Sequence, residues 1–172
     1  MADDTFEVKA LGGRMDSRNI TFSNCIAWGG YARCFGITGE VEQGISDVIF
    51  RDCAVIYRDG IWDNDRIGSL VVVAEKTEGN IDGLLFENIE IFRDEGRPIL
   101  VNIYDDEAEN FEIKNVVFRN ISYTSYMKPK ISAAESNSNT VEVELDGIYF
   151  GNHQINPQLS FITDKNCNIN TK

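Results

Sequence analysis

The chain has 172 residues, is 42% hydrophobic and 26% charged, and carries a formal net charge of −12. That is enough chain for a single domain over 1–172 with its own core. The acidic balance disfavours nucleic acid and anionic membrane surfaces, which need basic footprints, and no apolar run approaches the ~18 residues of a membrane-spanning helix.

In chain order the first element is DDTFEVKA (3–10), where Phe6 and Val8 alternate with Glu7 and Lys9. Period-two alternation predicts a strand. NITFSNCIA follows from Asn19, with Ile20 and Phe22 alternating, then a strand-like run at 33–38. DVIFRDCAV from Asp47 repeats the phrase and leads into YRDGIWDNDR (57–66), a loop of aromatics, acids and arginines. A run at 69–74 precedes GLLFENIEI from Gly83, and another at 99–104 precedes the acidic run Asp105-Asp106-Glu107-Ala108-Glu109. That run lacks the alternate-residue spacing of a calcium loop and reads as solvated charge. NVVFRNISY from Asn115 is followed by a polar, pattern-poor segment, 125–140, expected to be a lateral loop. A last run, 141–145, leads to GIYFGNHQI from Gly147, and 157–172 reads as a C-terminal cap.

The five phrases are one repeat. Phe22, Phe50, Phe86, Phe118 and Phe150 are spaced by 28, 36, 32 and 32 residues, a solenoid period with loop-sized variation. Period two within each unit, with β-branched and aromatic residues, rejects helical repeats. The expected fold is all-β: a single-stranded parallel β-helix (solenoid) of about five coils, with repeats near 19–27, 47–55, 83–91, 115–123 and 147–155. Two residues after each phenylalanine stand Asn24, Asp52, Asn88, Asn120 and Asn152. Asn and Asp tolerate left-handed backbone, so this column is expected to form a ladder at a turn. The glycosylation sequons at Asn19 and Asn120 fall on repeat positions and read as structural. The next column places Cys25 beside Cys53, about one strand spacing (~4.8 Å) away, either as a disulfide or as a reduced buried pair. It also places the single histidine, His153, in the core of the last coil. The four cysteines have no zinc spacing, so no metal and no cofactor are expected.

The repeat and its local phrases resemble the right-handed parallel β-helix of the pectin-lyase-like superfamily, and most of all its polygalacturonase-type glycoside hydrolases. Asp3-Asp4-Thr5-Phe6-Glu7-Val8-Lys9 is similar to the Asp-Asp strand of that family, DDCIAIK. Residues 25–33, CIAWGGYAR, are similar to the coil of its Gly-Gly-His-Gly phrase, with Tyr31 and then Ala32 where the histidine would stand and Arg33 close by. The coil 47–75 matches that of the family's Arg-Ile-Lys phrase, of which only Lys76 is present. The resemblance implies an inverting mechanism with Asp3 as general acid and Asp4 as water-activating base, the two carboxyl groups ~6.5–9.5 Å apart. It also implies that Lys9, Tyr31, Arg33 and Lys76 face the substrate. A third family aspartate would lie upstream, so the resemblance implies an N-terminally truncated portion. The parent family is usually secreted, but no secretory leader is visible here.

Loss of the cations that grip a uronate, together with the net charge, shifts the expected substrate toward a neutral or weakly charged polysaccharide or oligosaccharide. Trp62, Asp63, Asp65 and Arg66 form the expected glycan-contact loop; the competing reading is a turn held by Arg–Asp pairs. Trp28, Arg97, Asn102 and Tyr104 are weaker groove candidates. A noncatalytic carbohydrate-binding or structural solenoid is the alternative function. End-to-end self-association through an open N-terminal coil is the alternative partner.

Overall fold

The computed structural model describes residues 3–13, 15–105, 107–133 and 138–172. In chain order the elements are β1 (Phe6–Ala10), β2 (Ser17–Ser23), β3 (Ile26–Gly30), β4 (Arg33–Val41), β5 (Ile45–Arg58), β6 (Gly68–Thr77), β7 (Ile81–Asp94), β8 (Arg97–Ile103), β9 (Glu112–Ser125), β10 (Lys130–Ser132), β11 (Thr140–Phe150), β12 (His153–Gln154), the single helical turn α1 (Pro157–Ser160), β13 (Ile162–Thr163) and β14 (Cys167–Thr171). They stack as two walls. The front sheet runs β1-β4-β6-β8-β10-β13 and the back sheet β2-β5-β7-β9-β11, with β3 paired to β5 and β14 to β11. These pairings are parallel, and among the described residues only β12 lies antiparallel, on β11. The chain is therefore a parallel β-solenoid of about five turns.

Alternation fills the interior. Phe35, Ile37, Leu70, Val72, Ile99 and Val101 point in from the front, and Val48, Phe50, Leu84, Phe86, Val116 and Phe118 from the back. The phenylalanine column stacks in register: ring centroids lie 5.0 Å apart for Phe22–Phe50, 5.0 Å for Phe50–Phe86 and 4.7 Å for Phe86–Phe118. Burying each such ring stabilises by roughly 1.5–3 kcal/mol before any stacking gain.

The asparagine column makes the corners. Asn24, Asp52, Asn88 and Asn120 have φ of 51–56°, the left-handed region where Asn and Asp carry the least strain among residues with a side chain. Asn88 Nδ2 donates to Asp52 Oδ1 at 3.0 Å and Asn120 Nδ2 to Asn88 Oδ1 at 2.8 Å. Asn19, one of the sequon residues, holds another left-handed corner (φ 58°).

The last coil departs from the repeat. Leu145, not Phe150, lies opposite Phe118, and Phe150 pairs with Tyr123. Phe150 is half exposed and His153 is fully outside the core. The left-handed residue opposite Asn120 is Gly147 (φ 68°), not Asn152. The similar phrase GIYF hides a register slip: its Gly147 stands at the corner of Asn120, so Phe150 falls beside Tyr123 and not beside Phe118. The run 141–145 also belongs to the back sheet; the front-sheet strand of this coil is β10, inside the expected lateral loop, with Ile131 buried. Residues 134–137 of that loop lie outside the described residues. Cys25 and Cys53 carry free thiols. The cap expected at 157–172 contains α1 and β14, and β14 covers the outer edge of β11.

Candidate functional site

The predicted contact residues concentrate on the outer face of the front sheet. In a solenoid wall this face is normally open to water, yet Val71, Val73 and Leu100 there are fully buried in a second apolar cluster. Loop 59–67, between β5 and β6, lies across them. Its root is fixed by Arg58, fully buried, whose Nη1 donates to the carbonyls of Ala32 (3.1 Å) and Gly60 (2.7 Å). Gly60 is required because a Cβ there would sit 1.5 Å from the Tyr31 carbonyl oxygen. Arg58 is balanced by Asp94, also fully buried, which accepts from Arg58 Nη2 (2.5 Å), Ser69 Oγ (2.6 Å) and the Gly96 N–H (2.7 Å). The crest of the loop is pinned to β8: Arg97 Nε donates to the Asn64 carbonyl at 2.7 Å and Asn102 Nδ2 to the Asp65 carbonyl at 2.8 Å.

A chain of charges crosses this face. Arg33 Nη1 lies 3.4 Å from both oxygens of Asp4, and Lys9 Nζ lies 3.7 Å from Asp4 and 3.9 Å from Glu40. Arg33 Nη2 donates to Glu75 at 2.7 Å and its Nε to the Arg66 carbonyl at 2.8 Å. The other Glu75 oxygen accepts from the Arg66 guanidinium, and this bond holds Arg66 above its ordinary pKa. Arg66 in turn lies 5.7 Å from the Trp62 ring centroid and 5.2 Å from that of Tyr104, within cation–π range. The Tyr104 hydroxyl donates to Asp63 at 3.3 Å, and the Asp63 charge pushes that phenol up. Asp65 takes Lys130 Nζ at 2.9 Å and stands 3.7 Å from Arg97.

Asp4, Lys9, Arg33, Trp62, Asp63, Asp65 and Arg66 thus meet on one face, together with Tyr104, Asn102 and Arg97. The turn carrying Tyr31 (40% exposed) abuts the loop root at Gly60. Asp3 is exposed just ahead of β1. Lys76 stands in a separate exposed pair with Glu42 at 3.0 Å. Trp28 is 77% exposed on β3, which belongs to the back sheet. Of the acidic run, Asp105 caps its own turn, accepting from the Glu107 N–H at 3.0 Å and from Thr77 Oγ1 at 2.8 Å, and Asp106 lies outside the described residues. Among the described residues no cluster of three or more His, Cys, Asp or Glu side chains is set to hold a metal ion.

Sequence reasoning missed two carboxyl groups. Glu75 joins Arg33 to Arg66, and nothing in the local strand pattern marks it. Glu7 reads as an ordinary outward polar residue, yet both its carboxyl oxygens are sealed from solvent without a hydrogen-bond partner. Burial first, then the charge of Asp4, pushes the Glu7 carboxyl well above the usual carboxylate range.

Chemically the face offers two partly exposed aromatic rings, several carboxyl groups and hydrogen-bond donors. Its arginines are already engaged by protein acceptors. In comparisons with protein-family models, curated proteins and solved structures, the chain finds no match.

Proposed function

We propose that the outer face of the front sheet, with loop 59–67 across it, binds a neutral or weakly charged polysaccharide. The observation carrying this reading is the pair Trp62 (47% exposed) and Tyr104 (43% exposed) flanking Arg66, beside Asp63. Aromatic faces next to fixed polar groups suit the apolar and hydroxyl faces of a sugar ring. Neutrality follows from the cations: Arg33, Arg66 and Arg97 each already donate to a carboxylate or carbonyl, leaving none of the three to grip a uronate. The likeness of the repeat and of the strand 3–9 to polygalacturonase-type enzymes of the pectin-lyase-like superfamily adds support from sequence.

Hydrolysis is the second reading, favoured by one observation: Asp4 stands between Arg33 and Lys9 at the edge of the same face. On this reading Asp4 activates the attacking water and Asp3 donates the proton to the leaving oxygen, with inversion. Affinity electrophoresis through a panel of neutral and acidic polysaccharides tests binding, and a chain retarded by none of them would overturn the proposal. Reducing-sugar release from the retained polysaccharides, compared with Asp3→Asn and Asp4→Asn, tests hydrolysis. Binding with no release from any of the three proteins would leave a noncatalytic carbohydrate-binding solenoid.

A further inference from the structure

Glu7 is built unlike the rest of the face. It points outward from β1, opposite Gly36 of β4, where the absent side chain leaves room over the sheet. Gly36 cannot be replaced, since a Cβ would lie 1.9 Å from the Val71 carbonyl oxygen. Into this space go both Glu7 carboxyl oxygens and the Thr38 hydroxyl, all sealed and all without a hydrogen-bond partner meeting normal geometry. The charged or titratable groups around Glu7 are Asp4 ahead of β1, Lys9 on β1, and Arg33 and Cys34 on β4. Beyond them Glu40 faces Lys9 and Glu75 faces Arg33. The Thr38 hydroxyl and the Arg33 and Lys9 charges offset part of the cost, but a carboxylate sealed beside another carboxylate stays costly, and taking up a proton removes the charge.

We infer that Glu7 is a positioning residue held as a neutral carboxyl, which leaves Arg33 committed to Asp4 and Glu75 and so keeps the glycan face in order. The inference rests on the glycan-binding reading above. The contact at risk is Arg33–Asp4: at 3.4 Å it is longer than Arg33–Glu75 at 2.7 Å, so a new anion at Glu7 competes first for the guanidinium side that serves Asp4. Ionised Glu7 also repels Asp4 directly. The face is then assembled at low and moderate pH and loosens as Glu7 loses its proton.

The test uses the full chain, Glu7→Gln (a neutral isostere) and Glu7→Ala, with two readouts from pH 5 to pH 9. In thermal unfolding, a carboxyl titrating higher when folded than when unfolded makes the folded state the better proton binder. Wild-type stability must therefore fall relative to Glu7→Gln as pH rises from the ordinary glutamate range, 4.5, up to the folded titration. In binding to the polysaccharide best retained in the panel, wild-type affinity is expected to drop by up to about tenfold per pH unit above that titration. Glu7→Gln should bind with a flat profile, and Glu7→Ala weakly throughout. Parallel unfolding curves for wild type and Glu7→Gln overturn the neutral carboxyl whatever binds. Diverging unfolding curves with identical binding profiles overturn the positioning role. Diverging unfolding curves in a chain that binds no polysaccharide support the neutral carboxyl and refute the glycan reading instead.

Discussion

Asp94→Ala strips the counter-charge from a fully buried arginine. Four hydrogen bonds disappear with it: two from Arg58 (3.0 and 2.5 Å), one from Ser69 Oγ (2.6 Å) and one from the Gly96 N–H (2.7 Å). Arg58 keeps only its two carbonyl acceptors, Ala32 and Gly60. Removing one partner of a buried pair costs about 3–5 kcal/mol, because the remaining charge stays desolvated. For a chain of this size that lowers Tm by about 6–20 °C. Replacing the pair by apolar residues, Arg58→Met with Asp94→Leu, removes the stranded charge, and most of the loss should return. Urea and thermal unfolding followed by circular dichroism measure both variants. A cost below about 1 kcal/mol for Asp94→Ala, or a double variant as unstable as the single one, would refute the reasoning. The double variant also frees the Gly60 carbonyl, so loop 59–67 should become protease-sensitive while the solenoid stays folded.

Three further outcomes follow from the same geometry. Phe86→Ala opens the middle of the phenylalanine column between Phe50 and Phe118 and should cost about 3–5 kcal/mol in urea unfolding, more than the same change at half-buried Phe22. Asn88→Ala forces alanine to φ near 54° and breaks the ladder to Asp52 and Asn120, a loss of about 1–3 kcal/mol, whereas Asn88→Gly relieves the backbone part and should recover some of it. Burial pushes the thiols of Cys34 and Cys167 up to about 12, so at pH 8 the folded chain holds almost none of either as thiolate. A thiol reagent followed by mass spectrometry should label both only after unfolding, and labelling of native Cys34 would contradict its placement.

Much of the architecture was legible because a solenoid writes its period into the sequence. Phe22, Phe50, Phe86 and Phe118 sit where a stacking column needs them, and Asn24, Asp52, Asn88 and Asn120 where only a left-handed corner explains a small polar residue. The last coil was not legible. GIYF matches the phrase by composition, but register is fixed by pairing with β9, which sets Leu145 opposite Phe118 and pushes Phe150 and His153 outside. Strand β10 was missed because three residues are too few to display alternation. On the candidate face, Trp62, Asp63, Asp65 and Arg66 could be nominated from loop composition, and Asp4, Lys9 and Arg33 from the resemblance. Which carboxyl is sealed and which is paired depends on neighbours 29 to 42 residues away, such as Arg33 for Asp4 and for Glu75. No local pattern carries that information, and Glu7 was therefore read as one more outward polar residue.

The most direct test of the glycan face is the affinity of the double variant Trp62→Ala, Tyr104→Ala for the polysaccharide best retained in the panel, measured by titration calorimetry beside wild type. Both rings are largely at the surface, so Tm should stay within about 2–4 °C of wild type, a change of about 1 kcal/mol. Loss of two aromatic contact residues, each worth about 2 kcal/mol at a binding hot spot and so about 4 kcal/mol together, predicts affinity weaker by roughly several hundredfold. Unchanged affinity in a variant that remains folded would contradict a binding face at loop 59–67.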